Sequence, residues 1–373
     1  MNFKRSDSVK EKEFFETLKK RVNDYFERNE ISPYGNANMV LKTVLTLLLY
    51  FVPYVLMLTG VVTNSWMIFG MWTLMALGTV GIGVGVMHDA NHGSYSKNKI
   101  VNKCLGYTAN LIGANERIWR IQHNVLHHTY TNINTADEDL QPHPLLRFSP
   151  HQQKLKIHQF QHIYIWLFYA IAAISWTLVK DFKQLYGYKA RGLVGKGKYF
   201  RKELILLILW KAFYFFYALI LPLLLIPVSP WFIILCFLWM HVVVGIIFSL
   251  IFQSAHVAST CDFPMPSSDG VIENSWAIHQ LSTTTNFSPG NKITTWLLGG
   301  LNYQVEHHLF PYICHVHYTA IAPIVAETAK EFGLPYKSQK TFFAAILNHL
   351  NMLRELGRME QTTVSFVGMG SAN

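Results

Sequence analysis

The chain has 373 residues, of which 51% are apolar and 14% aromatic, while charged residues make up only 14%. That charge content is well below the roughly 25% of a soluble domain, so an ordinary soluble enzyme is excluded and a membrane protein is expected. The net charge of +10 does not imply nucleic acid, because much of the excess base lies in loops beside apolar segments, which is the positive-inside pattern and not a groove-lining stripe.

The first forty residues carry charges of both signs and no short apolar core before a small-residue cleavage site, so no signal peptide is expected and internal spans insert the chain. Within 8–29, Phe14, Phe15, Leu18, Val22, Tyr25 and Phe26 fall on one helical stripe opposite a charged face. This predicts an N-terminal helix in a 1–40 segment, packed on the membrane domain or lying in the headgroups. Residues 42–63 and 66–87 are each long enough to cross a hydrocarbon core of about 30 Å and are separated at Asn64-Ser65. A second apolar hairpin comprises 204–228 and 231–255, turning at Pro230 and interrupted by Lys211, expected to snorkel or sit near one interface, and by His241, expected to bond a neighbouring helix. Between the hairpins, 180–202 carries a dense run of Lys and Arg, which puts that loop and both termini in the cytosol. Residues 163–179 sit at the short limit for a span and are read as interfacial or re-entrant. If they crossed, histidines on either side of them would face opposite compartments. The expectation is an all-α integral membrane protein with four transmembrane helices in two hairpins under a cytosolic helical cap. The membrane domain covers 41–320 and cytosolic tail helices cover 321–373.

Seven of the 17 histidines fall in three short runs: H-D-A-N-H (His88, His92), H-N-V-L-H-H (His123, His127, His128) and Q-V-E-H-H (His307, His308). Residues four apart share a helix face, so His88 pairs with His92 and His123 with His127, with His128 one step round. Neutral imidazole is a general ligand for transition metals. A single pair of this kind is more often packed histidines, but three recurrences favour a metal site. His256, at the cytosolic end of the fourth span, is the candidate additional ligand. Ligating histidines give their other N–H to a carboxylate or carbonyl, a role open to Asp89, Asp137 and Asp139. Gln304, a weak ligand, is read as a hydrogen-bonding neighbour of the metal, and His279 as a weaker candidate near it. His315 and His317 are expected at the surface or behind the ligands, and His143, His151, His158, His162 and His349 at the surface.

Seven or eight nitrogen ligands exceed the need of one ion, so two are expected. Cys104, Cys236, Cys261 and Cys314 stand far apart, which argues against structural zinc and iron–sulfur sites. A zinc hydrolase needs far fewer ligands, whereas a redox pair of irons that activates O2 fits the count. An unactivated acyl C–H bond needs an oxidant that no side chain supplies.

Together the three runs resemble the H-x-x-x-H, H-x-x-x-H-H and H/Q-x-x-H-H boxes of the membrane fatty acid desaturases, over roughly residues 40–320. Gln304 in place of the first histidine of the last box, with W-A-I-H-Q-L-S-T-T-T-N-F (276–287) and Q-V-E-H-H-L-F-P, is similar to the front-end, linoleoyl-CoA desaturase-like branch. The resemblance implies a di-iron centre that uses O2 and two electrons to desaturate a fatty acyl chain carried on CoA or a lipid. It implies iron ligation by His88, His92, His123, His127, His128, His307 and His308, with His256 matching a further family histidine. No fused cytochrome b5-type domain or H-P-G-G motif is present in these residues, so the expected electron source is a separate ferredoxin, or cytochrome b5 with its reductase. A bacterial plasma membrane with a cytosol-facing site is the expected setting. Trp119 is expected to shape an acyl tunnel, and Arg117 and Arg120 to meet a phosphate-bearing headgroup. A lipid hydroxylase on the same scaffold is the nearest alternative. A histidine-rich metal transporter is the more distant one, disfavoured because the runs lie at span ends and in loops and not near a midplane.

Overall fold

The computed structural model describes residues 3–6, 8–140 and 143–360; the part of the expected tail that falls on 361–373 lies outside them. The first helix, α1 (Val9–Arg28), opens with a capping box in which Ser8 accepts from the Glu11 backbone N–H and the Glu11 carboxylate accepts in return. Long apolar runs must pair their backbone groups internally, which a helix does. Among the described residues, five helices are long and apolar enough to cross a membrane: α2 (Ala37–Leu58), α3 (Ser65–His92), α5 (Lys156–Ala190), α6 (Lys198–Leu225) and α7 (Pro230–His256). Between α3 and α5, residues 116–130 form α4. After α7 come α8 (Trp276–Thr283), α9 (Gln304–Leu309), α10 (Tyr318–Glu331) and α11 (Phe342–Arg358). Sheet among the described residues is confined to two parallel two-residue pairings, Lys4–Arg5 with Val271–Ile272 and Asn286–Phe287 with Ser338–Gln339.

Four of these long helices fall where the apolar runs 42–63, 66–87, 204–228 and 231–255 predict them. Asn64 caps α3 by accepting from the backbone N–H groups of Trp66 and Met67, and Pro230 occupies the first turn of α7, where its missing N–H costs nothing. Helices α2 and α3 approach closely because Gly78 faces the α2 backbone: a Cβ there would lie 2.8 Å from Tyr50 N. The α1 stripe of Phe14, Leu18, Val22 and Phe26 is buried on α8–α10, in a cluster with Leu281, Ile321 and Val325, so protein and not lipid covers it.

Residues 163–179 differ from expectation. They are the middle of α5, a helix of 35 residues, so shortness does not argue against crossing. Its two ends, however, both reach the cap. Near the start, Gln161 donates to Arg147 O and Leu353 O. Near the end, Gln184 and Tyr188 donate to Glu138. The middle crosses α7, where a Cβ on Gly245 would lie 2.4 Å from Tyr169 O.

Three further expectations are corrected, for Lys211, His158 and His349. Lys211 does not snorkel; it is 5% exposed and 2.6 Å from Asp181. His158 and His349 are buried, not at the surface. The fall of α11 onto α5 and α7 encloses His349, whose Nδ1–H donates to Val257 O while Tyr169 donates to its Nε2. His315 and His317, expected at the surface or behind the ligands, are buried, and His315 meets Asp89, the neighbour of His88, at 2.7 Å. His241 does bond a neighbouring helix, through Tyr214 Oη at 3.1 Å.

Candidate metal centre

The three histidine runs converge where α3 and α7 end. A wide turn with i→i+5 pairing at 82–87 carries α3 into His88 and His92, and a second one spans 121–127 of α4. Such turns recur at functional sites because they alter which residues share a face. In α4 the His128 N–H bonds to His123 O, and the side chains follow: His123 and His128 point to the same place, with their Nε2 atoms 3.2 Å apart. An ordinary helical turn would have joined His123 to His127 instead. The wide turn leaves His127 free to face Asp137 through Nδ1, at 3.1 and 3.2 Å from the two carboxylate oxygens.

Two adjoining groups result. His88, His92, His123 and His307 have ligand atoms close enough for one ion, and so do His127, His256 and His308. His128 lies between them, 3.0 Å from His307 Nε2 and stacked on His308. The rings of His127 and His308 lie 4.7 and 4.9 Å from that of His256. Most of these imidazoles are anchored from behind. His307 Nδ1 meets Tyr318 Oη at 3.3 Å, His308 Nδ1 meets Gln280 Oε1 at 2.7 Å, His256 Nδ1 meets Thr283 O at 3.3 Å, and His88 Nδ1 lies 3.5 Å from Asp89.

The oxygens behind His256 and His308 assign the proton to Nδ1 there, so their Nε2 lone pairs face inward, and their Nε2 atoms, like that of His92, have no hydrogen-bond partner. The Nε2 atoms of His88, His123, His128 and His307 face one another at 3.0–3.4 Å. Converging lone pairs repel unless a cation lies among them, so the residues fit a metal centre. Burial, reinforced by the neighbouring imidazoles, holds His123, His128, His307 and His308 well below the usual histidine range. They are therefore neutral and ready to ligate. His127 is also pulled down by burial, but Asp137 and Asp139 outweigh that and raise it.

Among the remaining candidates, Asp139 lies 3.5 Å from His127 and accepts from Gln122. Gln304 opens α9 and is buried, its Nε2 without a partner. His279 stands further back, bonded to Thr131 O at 2.8 Å and absent from both groups. Sequence reasoning missed Gln280 and Tyr318. His315 Nδ1 lies 2.7 Å from Asp89, and its Nε2 is 3.1 Å from Lys42. Glu306, between box residues, accepts from Asn286 and Tyr336, and burial pushes its carboxyl up to about 7. Arg117 and Arg120 engage Glu203 and Glu116 as ion pairs.

Trp119 stacks on His123 and lines a narrow, mainly apolar cavity that adjoins His88 and reaches Tyr214 and His241. Met240, Val244, Phe248 and Phe252 form its α7 wall, one residue per turn, over about 18 Å at 1.5 Å per residue.

A buried cluster of histidines able to hold metal, at the ends of apolar helices and beside an apolar cavity, defines the class of a multi-pass membrane enzyme that acts on lipid. The chain belongs to the fatty acid desaturase family, which residues 64–340 match, and it is a fatty acid desaturase. It is 34% identical over 357 residues to the sn-1 linoleoyl-lipid 6-desaturase of Arthrospira platensis, covering 94% of each chain. It is 36% identical over 355 residues to the Synechocystis protein of the same description, covering 92% of this chain and 96% of that one. It is 35% identical over 353 residues to the acyl-lipid (8-3)-desaturase of Physcomitrium patens, covering 93% of this chain and 72% of that one.

Proposed function

We propose that this desaturase is a front-end, acyl-lipid enzyme with two irons held by the eight convergent histidines. His88, His92, His123 and His307 serve one ion, His127, His256 and His308 the other, and His128 lies between. The observation that carries the reading is the set of inward Nε2 atoms, split into two groups of ligand spacing, beside an apolar channel. Iron bound there would supply the oxidising power, drawn from O2, that removes hydrogen from an unactivated chain. The overall change is loss of two hydrogens from adjacent methylenes, with O2, two electrons and two protons leaving as two waters. The protein's own part is positional. The Nδ1 partners lock the rings of His127, His256, His307 and His308, the channel orients the chain, and burial excludes bulk water from the reacting carbons. The similarity to linoleoyl-lipid 6-desaturases supports a polyunsaturated acyl-lipid substrate.

For topology we propose four crossings, α2, α3, α6 and α7, with α5 lying along the cytosolic interface. Both of its ends bond to the cap that holds the histidines, which a crossing helix cannot do. The basic run 180–202 beside that cap supports a cytosol-facing site. We assign it to a bacterial plasma membrane, with electrons from a separate ferredoxin or cytochrome b5 system. The domain limits 1–40, 41–320 and 321–373 belong to the same proposal.

The test is mass-spectrometric profiling of a host that lacks polyunsaturated acids, expressing this chain with a reductase pair and fed linoleate. A product lighter by two hydrogens, unsaturated between the carboxyl end and the existing double bonds, is expected. A new double bond on the methyl side refutes the front-end assignment. A product heavier by one oxygen moves the chemistry to hydroxylation.

A further inference from the structure

We propose that the buried pair Lys211–Asp181 is a positioning clamp for the acyl chain, fixing which carbon–carbon bond stands at the metal centre. The proposal rests on the reading of the cavity beside His88 as the acyl site. Lys211 Nζ donates to Asp181 Oδ2 and to Gly113 O, both at 2.6 Å, and Asp181 Oδ1 accepts from Trp176 Nε1 at 2.8 Å. A wide i→i+5 turn over Trp176–Lys180 brings Trp176 onto the same side as Asp181. Each bonded element contributes cavity wall. Ile112 and Ala114 flank Gly113, Trp176 lines the cavity directly, and Tyr214 follows Lys211 by three residues on α6. Gly113 is itself wedged in the seam. Its φ is +87°, and a Cβ would lie 3.0 Å from Thr177 Oγ1 and 3.1 Å from the Tyr214 ring.

Three wall segments from separate parts of the chain are thus tied to one cation and one carboxylate, both almost fully buried. Stability alone does not call for such a pair, because apolar residues of similar volume commonly hold a fold as well. What short charge-assisted bonds add is direction and fixed distance. An acyl chain needs that from its channel. Its methylenes are chemically alike, so only the wall decides which pair stands opposite the metal, and a shift of one carbon delivers the neighbouring bond. Loosening the clamp should therefore spread the position of the new double bond before it stops turnover.

The experiment uses full-length protein in the linoleate-fed host, with double-bond positions mapped, and iron content and thermal midpoint measured on the purified variants. Lys211→Met/Asp181→Asn removes both charges yet keeps an acceptor for Trp176. Trp176→Phe keeps both charges and removes the indole bond. Val244→Trp fills the cavity. We expect about a tenfold rise in the ratio of misplaced to native double bond in the double variant or in Trp176→Phe, with iron retained. A single native position with unchanged kcat/KM in an iron-replete double variant overturns the clamp; if the double variant does not fold, the same result in Trp176→Phe overturns it. Wild-type turnover in Val244→Trp overturns the acyl reading of the cavity itself, whereas lost turnover there with unmoved products in the clamp variants removes only the clamp.

Discussion

Replacing Asp137 with Asn isolates what the anchoring of one imidazole is worth to the metal centre. Asp137 is 1% exposed and takes four contacts: His127 Nδ1 at 3.1 and 3.2 Å, and the backbone N–H groups of Asn132 and Asp139, each at 3.0 Å. An asparagine of the same shape offers one oxygen, so its NH2 must face either His127 or a backbone donor. The loss is one hydrogen bond to a charged group, about 1.5–3 kcal/mol. At about 1.4 kcal/mol per decade, that amounts to about 10–100-fold in metal affinity, the range typical of residues behind a ligand. The assay is iron retained per protein after equilibration against a graded series of chelator, with thermal unfolding in detergent run alongside. Asp137→Asn should release iron at about 10–100-fold lower chelator strength while remaining folded. Iron retention equal to wild type would refute the claim that Asp137 acts on the metal through His127.

Other outcomes follow from the same contacts. His127→Ala should abolish desaturation and lower iron content, and full activity in that variant would remove His127 from the ligand set. Lys211→Met, which strands the Asp181 carboxylate in the interior, should cost about 3–5 kcal/mol of stability, and adding Asp181→Asn should restore most of it; equal melting of the single and double variants would show that the pair is not a coupled unit. Burial lowers His349 from 6.5 to about 4. Its folded value is the depressed one, so the neutral ring's contribution is complete above pH 6.5 and is lost as pH falls from 6.5 towards 4. At about 1.4 kcal/mol per unit the loss reaches about 3 kcal/mol. His349→Gln should flatten that acid limb, and an unchanged limb would move the acid sensitivity elsewhere.

The family, its chemistry and the box histidines were legible in the residues, because ligand spacing and apolar run length are local properties. The long apolar helices and the helix over 8–29 follow from run length and periodicity and from the cost of unpaired backbone in lipid. The division of labour among the ligands was not legible. His123 pairs with His128 and not with His127 because a wide turn displaces the face by one residue, and ordinary helical spacing carries no sign of such a turn. Gln280 and Tyr318 lie far from the rings they anchor or stand outside any motif, so only packing reveals them. Lys211 read as a surface-seeking cation until its partner was known, since a charge buried in an apolar helix becomes stable only when a distant carboxylate meets it. His158 and His349 read as exposed for the same reason: burial depends on which helices close over a residue, here α11 upon α5 and α7. By itself, the sequence determined which side chains are able to bind metal and which runs are apolar enough to meet lipid. Tertiary structure alone decided which nitrogens face one another, which acids stand behind them and where an apolar cavity adjoins them, because those depend on contacts between segments that local pattern does not encode.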